Sequence, residues 1–524
     1  MTQDVFSKKE SSKTYFNRLI SPVGWLKSLF FILCISLFFS DFALESLKIP
    51  GLPAAEGGSA GFNNVYALLL FIVTSLTLLQ MIVTQKIRFP LNNGYLAVYA
   101  LVLVYFLSVF MSYLAPHQDV YGKNIWIHAI LYFCHRFLWL TLIILPAFFI
   151  RTREEFITTI RKFVVVLSII YIIFAFIQLA CYYTHLDFLT TILNFFRSTQ
   201  GNLYLEDSLP AINFPRLYLI SQEPSHLAAQ LINLWPMGVT LYLAERDESI
   251  LKNRKRKRYL WVPLVLIAFS IFTFSPTFYF SLLFQLMAFY FFLMRPILKR
   301  RSKIQLKKKL NKPILLVTIF SVFAMVIAIA FIFSAPLEFL FKRVGSFFSL
   351  NDMENVDGSG FVRIIGLWSA LKSFSYSPFL GIGPGNNLFY LTETINSVFQ
   401  GFDLSLSFVN EIYNTLIHGN RGIQIPNAFL IILAETGLVG ALCFLYLILY
   451  ISFKMRSAVK LMDQGFLRKD YYLYLVGLYI GLFVVVGGIG RLENFYLTLG
   501  FILVGVHFGN ISQLNTGSDE NKFV

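Results

Sequence analysis

Apolar runs of about twenty residues recur along nearly the whole chain, and this constrains the fold more than any other feature. The hydrocarbon core of a bilayer takes about that length of helix to cross, with every backbone group hydrogen-bonded internally. Twelve runs fit: Trp25–Leu44, Val65–Thr84, Tyr95–Leu114, Trp126–Phe149, Phe163–Tyr183, Pro224–Ala244, Tyr259–Phe274, Thr277–Met294, Pro313–Ala335, Asn427–Phe453, Tyr471–Gly490 and Phe495–Asn510. Only the Ser275-Pro276 break separates the seventh from the eighth, so these two also read as a single re-entrant pair. Composition agrees, because 14% of the 524 residues are charged and 56% are hydrophobic, against roughly a quarter charged in an ordinary soluble domain. The expected fold is an all-α polytopic membrane protein of about twelve transmembrane helices, with a long extracytoplasmic loop carrying short amphipathic helices.

Charge placement orients these spans. The net charge is +16, yet 33 of the 44 Lys and Arg fall in alternate connections: the N-terminal stretch to Lys27, then Lys86–Arg88, Arg151–Lys162, Arg246–Arg258, Arg295–Lys312, Lys454–Lys469 and Lys522. Basic residues concentrate in cytoplasmic loops. The runs Lys252–Arg258 and Lys299–Lys312 are therefore read as topology determinants near anionic lipid and not as a nucleic-acid surface. The first apolar run is longer than a signal-peptide core and no small-residue cleavage site follows it, so it is read as a retained span. Both termini are expected in the cytoplasm.

The expected organisation is a cytoplasmic tail at 1–24, helices one to nine over 25–335, an outer loop at 336–426, the last three helices over 427–510, and a cytoplasmic tail at 511–524. Two outer connections are long, 184–223 and 336–426, and long loops in compact proteins are commonly functional. No internal repeat is evident. Cys34, Cys134, Cys181 and Cys443 lie inside spans without ligand spacing, so they read as packing residues, with neither disulfide nor metal expected.

Few cations face outward, and several stand beside membrane re-entry: Arg197, Arg216, Lys342, Arg343, Arg363, Lys372, Arg421 and Arg491. Outer positive charge works against the topology rule, so it suggests a task. Binding a phosphate or diphosphate is the simplest, because guanidinium is a permanently charged, planar fork of donors. An interfacial arginine that only snorkels to lipid phosphates is the plainer alternative.

Three segments gather candidate chemistry. In Arg216-Leu-Tyr-Leu-Ile-Ser-Gln-Glu223-Pro224-Ser225-His226, Pro224 suits a first helical turn whose free N–H groups point outward. Glu223 or His226 can take a proton from an attacking hydroxyl there. In Gly360–Asn386, the residues Phe361, Ile364, Ile365, Trp368, Leu371 and Phe374 recur at helical spacing, which predicts an amphipathic helix lying on the outer bundle face by that stripe. The Gly381-Ile-Gly383-Pro-Gly385 run after it permits a tight loop whose amides can face an anion. In Pro426–Gly440, Asn427 can cap the tenth span, and Glu435 falls about two turns into it. An unpaired carboxylate is costly there, so Glu435 is expected to be protonated, hydrogen-bonded or paired with arginine.

Taken in order, these segments resemble the bacterial O-antigen polymerase and O-antigen ligase superfamily of envelope glycan assembly. The likeness covers Arg216–Ala228 and Arg363–Gly440, together with the span count and the largest outer loop before the tenth span. It implies a metal-independent, cofactor-free, membrane-embedded glycosyltransferase of the bacterial inner membrane, acting in lipopolysaccharide or other polysaccharide biosynthesis. The donor would be an undecaprenyl-diphosphate-linked oligosaccharide, with a chain-length regulator and a flippase as partner proteins and no nucleic acid. Arg216 and Arg363 match the outer arginines that engage the donor diphosphate, and Arg421, Arg491 and Asn427 join them as binding candidates. Glu223, His226 and His418 are the catalytic candidates. Ligases place His immediately before the Asn that opens the late span; here that residue is Pro426 and the nearest His is His418. Polymerase is therefore the leading expectation, ligase the alternative, and a lipid-glycan flippase the reading of another class.

Arg136 stands apart, deep in the fourth span, with His128 and His135 two turns apart on nearly one face. A central Arg costs about 2.5–3.5 kcal/mol on insertion scales, so it must face the bundle interior or water. Glu435 is its conceivable partner.

Overall fold

The computed structural model describes residues 24–39, 65–84, 90–114, 119–120, 123–197, 208–209, 214–215, 217–219, 224–251, 259–273, 275–295, 358–386, 428–463, 469–483 and 492–516. These form a helical bundle of α1 Gly24–Ser36, α2 Val65–Val83, α3 Asn93–Phe110, α4 Ile125–Phe149, α5 Arg153–Thr184, α6 Asp187–Arg197, α7 Pro224–Leu251, α8 Trp261–Phe272, α9 Pro276–Phe289, α10 Gly358–Tyr376, α11 Ala428–Asp463, α12 Lys469–Gly481 and α13 Leu492–Thr516, all but α6 and α10 overlapping the apolar runs. Two antiparallel ladders of two-residue strands, Asp119–Val120 with Lys123–Asn124 and Ser208–Leu209 with Phe214–Pro215, are the strands among the described residues. Among the described residues, six helical stretches are long and apolar enough to cross a membrane, at Val65–Val83, Asn93–Tyr113, Ile125–Phe149, Arg153–Thr184, His226–Glu245 and Ala428–Val459. The expected ninth run, 313–335, lies outside the described residues.

The surface of the bundle is apolar, as a hydrocarbon solvent requires. Ile82, Leu103, Phe176 and Leu442 are each more than half exposed; patches of this kind in water would mark an interface or an aggregation hazard. Because lipid is as apolar as leucine, the helices associate through close packing and polar contacts. On α12, Gly477-x-x-x-Gly481 lies on α7, where a Cβ at Gly477 would come within 2.6 Å of Thr240 Oγ1 and one at Gly481 within 3.1 Å of the Asn233 carbonyl.

Prolines inside spans create carbonyls that need partners. Pro236 in α7 has no N–H to donate to Ile232. Gln285 of α9 fills the gap: its Nε2 donates to the Ile232 carbonyl at 2.8 Å and the Ile480 carbonyl at 3.2 Å, while its Oε1 accepts from Trp235 Nε1 at 2.6 Å. One amide thus ties three helices, and an unsatisfied backbone group in lipid costs several kcal/mol.

Helix α5 begins ten residues before the apolar run it carries. The Thr152 side chain accepts from the Glu155 N–H at 3.1 Å, and Glu155 in turn accepts from the Arg151 N–H at 2.8 Å and from Lys27 at 3.0 Å. Cationic and acidic residues so collect at one end of the bundle. Arg161 pairs with Glu245 at 3.3 Å and reaches the Tyr474 hydroxyl at 3.4 Å, and Arg153 lies over the Tyr471 ring. At the other end of α5, Gln178 Oε1 accepts from the N–H groups of Tyr218 (3.0 Å) and Leu219 (2.9 Å). The seventeen helical steps from Arg161 to Gln178 span about 25 Å.

One expectation is corrected. Helix α10 is present, but of the described residues in its predicted apolar stripe Trp368 and Leu371 turn outward, 58% and 47% exposed, while Phe374 is half-buried. The buried face is made of Gly366, Ser369, Ala370 and Ser373, which pack toward α11 around Ala434. Small residues on that face let the two backbones approach closely.

Candidate functional site

A buried ion pair joins α4 to α11. Arg136 Nε donates to Glu435 Oε2 at 2.9 Å and Arg136 Nη2 to Glu435 Oε1 at 2.8 Å, a two-pronged pair with both residues buried. The Trp139 ring lies against the guanidinium, 4.6 Å from centroid to Cζ. Helical spacing brings His128, Tyr132, His135 and Trp139 onto one face of α4, where His128 stacks on Tyr132 at 4.4 Å and His135 meets Trp139 at 4.3 Å. Two charges this deep are tolerable because each prong of the guanidinium meets a carboxylate oxygen.

A third donor completes the carboxylate. The Gly385 N–H reaches Glu435 Oε1 at 3.0 Å, and this contact belongs to a larger junction. Helix α11 is broken at Gly437, whose φ of 64° and ψ of −161° take the chain out of the helix. The break frees two carbonyls on its N-terminal side and two N–H groups beyond it. The segment 377–386 meets all four: Ile382 N–H donates to Ala434 O (3.0 Å) and Gly383 N–H to Glu435 O (3.1 Å), while Leu438 N–H donates to Pro378 O (2.8 Å) and Val439 N–H to Phe379 O (3.2 Å). Irregular backbone at membrane depth is tolerated where protein satisfies it in this way.

Glycine is required on both sides. A Cβ at Gly437 would run into the carbonyl of Phe379, and one at Gly385 into the Tyr132 ring. Both have positive φ, as do Gly381 and Gly383. Asn386 closes the turn, its Nδ2 donating to Ile382 O and to Ser112 Oγ at the end of α3, each at 2.7 Å. Of the glycine amides read as able to face an anion, Gly385 donates to the protein's own Glu435 carboxylate, while Gly381 and Gly383 donate to the carbonyls of Ser377 and Glu435.

No protein-family model matches this sequence, and no curated protein matches it either.

Of the sequence-derived candidates, Arg136 and Glu435 are brought together, and His226 stands half-buried in the first turn of α7. Arg363 lies on α10, one turn and a half from its start, with its side chain outside the described residues. Arg216, Glu223, His418, Arg421, Asn427 and Arg491 are also outside the described residues. The neighbours of Arg216 are nonetheless fixed: Leu217 N–H donates to Phe272 O at 3.0 Å, Gln178 holds the next two amides, and Leu219 adopts a φ of 52°.

Sequence reasoning did not single out Gln178, Gly437 or Ser112. The signal for Gln178 was its chemistry, since an amide inside an apolar run needs partners as a charge does. Gly437 had a weaker signal, because a helix carrying Thr436, Gly437 and Gly440 reads as ordinary close packing.

Proposed function

We propose that the chain is a glycan polymerase of the bacterial inner membrane, joining undecaprenyl-diphosphate-linked oligosaccharides at the outer face. The observation that carries this reading is the junction of 377–386 with the broken helix α11. It binds two of the three segments on which the resemblance rests into one body, although about fifty residues separate them in sequence. The third segment supports it, since the chain just after Arg216 is held by Gln178 and Phe272 at the start of α7.

The two ends of the bundle support the proposed orientation. Lys27, Arg153, Arg161 and Glu245 meet at the end that charge placement assigns to the cytoplasm. Gln178, Ser112 and the glycine turn lie toward the other, where the expected outer loops leave the helices. Twelve spans with both termini inside fit this arrangement.

In the proposed reaction an acceptor sugar hydroxyl attacks the anomeric carbon of the donor glycan, the bond to the lipid diphosphate breaks, and the diphosphate departs with the electron pair. Negative charge grows on the leaving phosphate, and the arginines Arg216 and Arg363, with Arg421 and Arg491 as further candidates, would lower the barrier by donating to it. Glu223, with His226 or His418 as alternatives, would take the hydroxyl proton. Direct displacement inverts the anomeric centre.

Replacing Arg363 tests the diphosphate role. Lysine keeps the charge and much of the stem, so an arginine that merely snorkels should tolerate Arg363→Lys, whereas a donor fork should not. With purified protein and a lipid-linked repeat, Arg363→Lys and Arg363→Ala are both expected to slow transfer by roughly a hundred- to a thousandfold. Near-wild-type rates in both would remove the role. A second reading, a lipid-glycan flippase, is favoured by the broken α11 alone, since carriers build their sites at interrupted helices. Movement of the lipid-linked repeat across a bilayer without chain growth would select it.

A further inference from the structure

We infer that Arg136 and Glu435 form a positioning clamp whose working product is the placement of the glycine turn, and through it of helix α10 with Arg363; the catalytic half of this inference rests on the function proposed above. The geometry separates two tasks that one buried ion pair can perform. The first is to join α4 to α11, for which the two Arg136–Glu435 contacts suffice. The second needs a carboxylate in particular at position 435. Glu435 Oε1 is shared between Arg136 Nη2 and the Gly385 N–H, so the guanidinium fixes the oxygen that in turn fixes the turn.

The remainder of the turn leans on the same residue. Gly383 N–H is held by the Glu435 carbonyl, and the bare Cα of Gly385 lies against Tyr132, one helical turn before Arg136 on α4. Between Tyr376, where α10 ends, and Gly381, where these contacts begin, only Ser377–Leu380 intervene, themselves tied to α11 through Pro378 O and Phe379 O. Helix α10 thus ends on a turn that the α11 backbone holds at 378–383 and the Glu435 side chain holds at Gly385. Its packing face toward α11 is small and polar, with Ser369 and Ser373 fully buried, so interdigitating side chains contribute little to its register.

The test separates joining from positioning. An apolar replacement of a buried ion pair is often neutral or stabilising, so Arg136→Met with Glu435→Leu should insert, fold and melt near wild type, yet leave the Gly385 N–H without its acceptor. Hydrogen exchange of the segment 377–386, measured by mass spectrometry on the full chain in lipid nanodiscs, should accelerate about tenfold or more. Glycan transfer should fall at least as far, mainly in kcat. A second variant, Arg136→Glu with Glu435→Arg, restores the charges but puts a group with no acceptor beside Gly385. It should exchange as fast as the apolar double variant, whereas Arg136→Lys, which keeps the carboxylate paired, should retain most of the protection. Wild-type exchange in the apolar double variant or in the charge swap would overturn the clamp. So would fast exchange accompanied by wild-type transfer, since the turn would then be loose without consequence. If the unaltered chain transfers no glycan, the function proposed above fails, and the exchange measurements still decide whether the clamp holds the turn.

Discussion

Gly437→Ala should be among the most damaging single-methyl additions in this protein, and the size of the effect can be worked from the junction. At φ 64° and ψ −161° the backbone occupies a region essentially restricted to glycine, which costs an L-residue about 1–3 kcal/mol. The added Cβ also collides with Phe379 backbone and comes within 2.6 Å of Gly381 N. Those atoms cannot swing aside, because Phe379 O and Pro378 O are bonded to the N–H groups of Val439 and Leu438. Overpacking of that kind adds about 1–3 kcal/mol, for a total of about 2–6 kcal/mol. The variant has one escape, which is to close α11 into a continuous helix. That returns the Ala434 and Glu435 carbonyls to helical partners and expels the turn. Either outcome lowers the unfolding midpoint of the detergent-purified protein by several degrees. Gly24→Ala is the control, since nothing lies within 4 Å of the added atom, and it should melt as wild type does. Equal midpoints for the two variants would refute the account of the broken helix.

Two other outcomes follow from orientation and chemistry. Reporters fused after Arg256, Lys308 and Arg468 should read cytoplasmic and those after Tyr204 and Phe399 external; a cytoplasmic signal at Phe399 would move the whole site to the wrong side. Glu223→Gln keeps the side-chain shape but cannot take a proton, so it should insert normally and lower kcat about a hundredfold or more, while unchanged chain growth would remove Glu223 from the mechanism.

The residues that were legible in the sequence are those whose chemistry conflicts with lipid. Arg136 and Glu435 announced a partner because neither can stand alone at depth, and they are bonded to each other. The helices on apolar runs were legible from length, although α5 extends back to Arg153 because Thr152 caps it well before the apolar run begins, and α6 lies in a stretch read as a loop. Helix α10 was legible as a helix and misleading as a surface. An apolar stripe predicts an inward face, yet Trp368 and Leu371 point outward while Ser369, Ala370 and Ser373 are buried. The junction at Gly437 was not legible because it depends on two backbones pairing across about fifty residues of sequence, and backbone groups carry no sequence signature. Gln285 was not read either, although Pro236 four residues after Ile232 had already marked a carbonyl in need of a donor.

The central claim is most directly tested with the purified, unaltered chain in proteoliposomes and a fluorescent polyprenyl-diphosphate-linked repeat. The account predicts a ladder of longer lipid-linked chains, one polyprenyl diphosphate released for every new linkage, and inverted anomeric configuration at each join. Absence of any longer product, or passage of the intact repeat across the bilayer with no bond made, would contradict it.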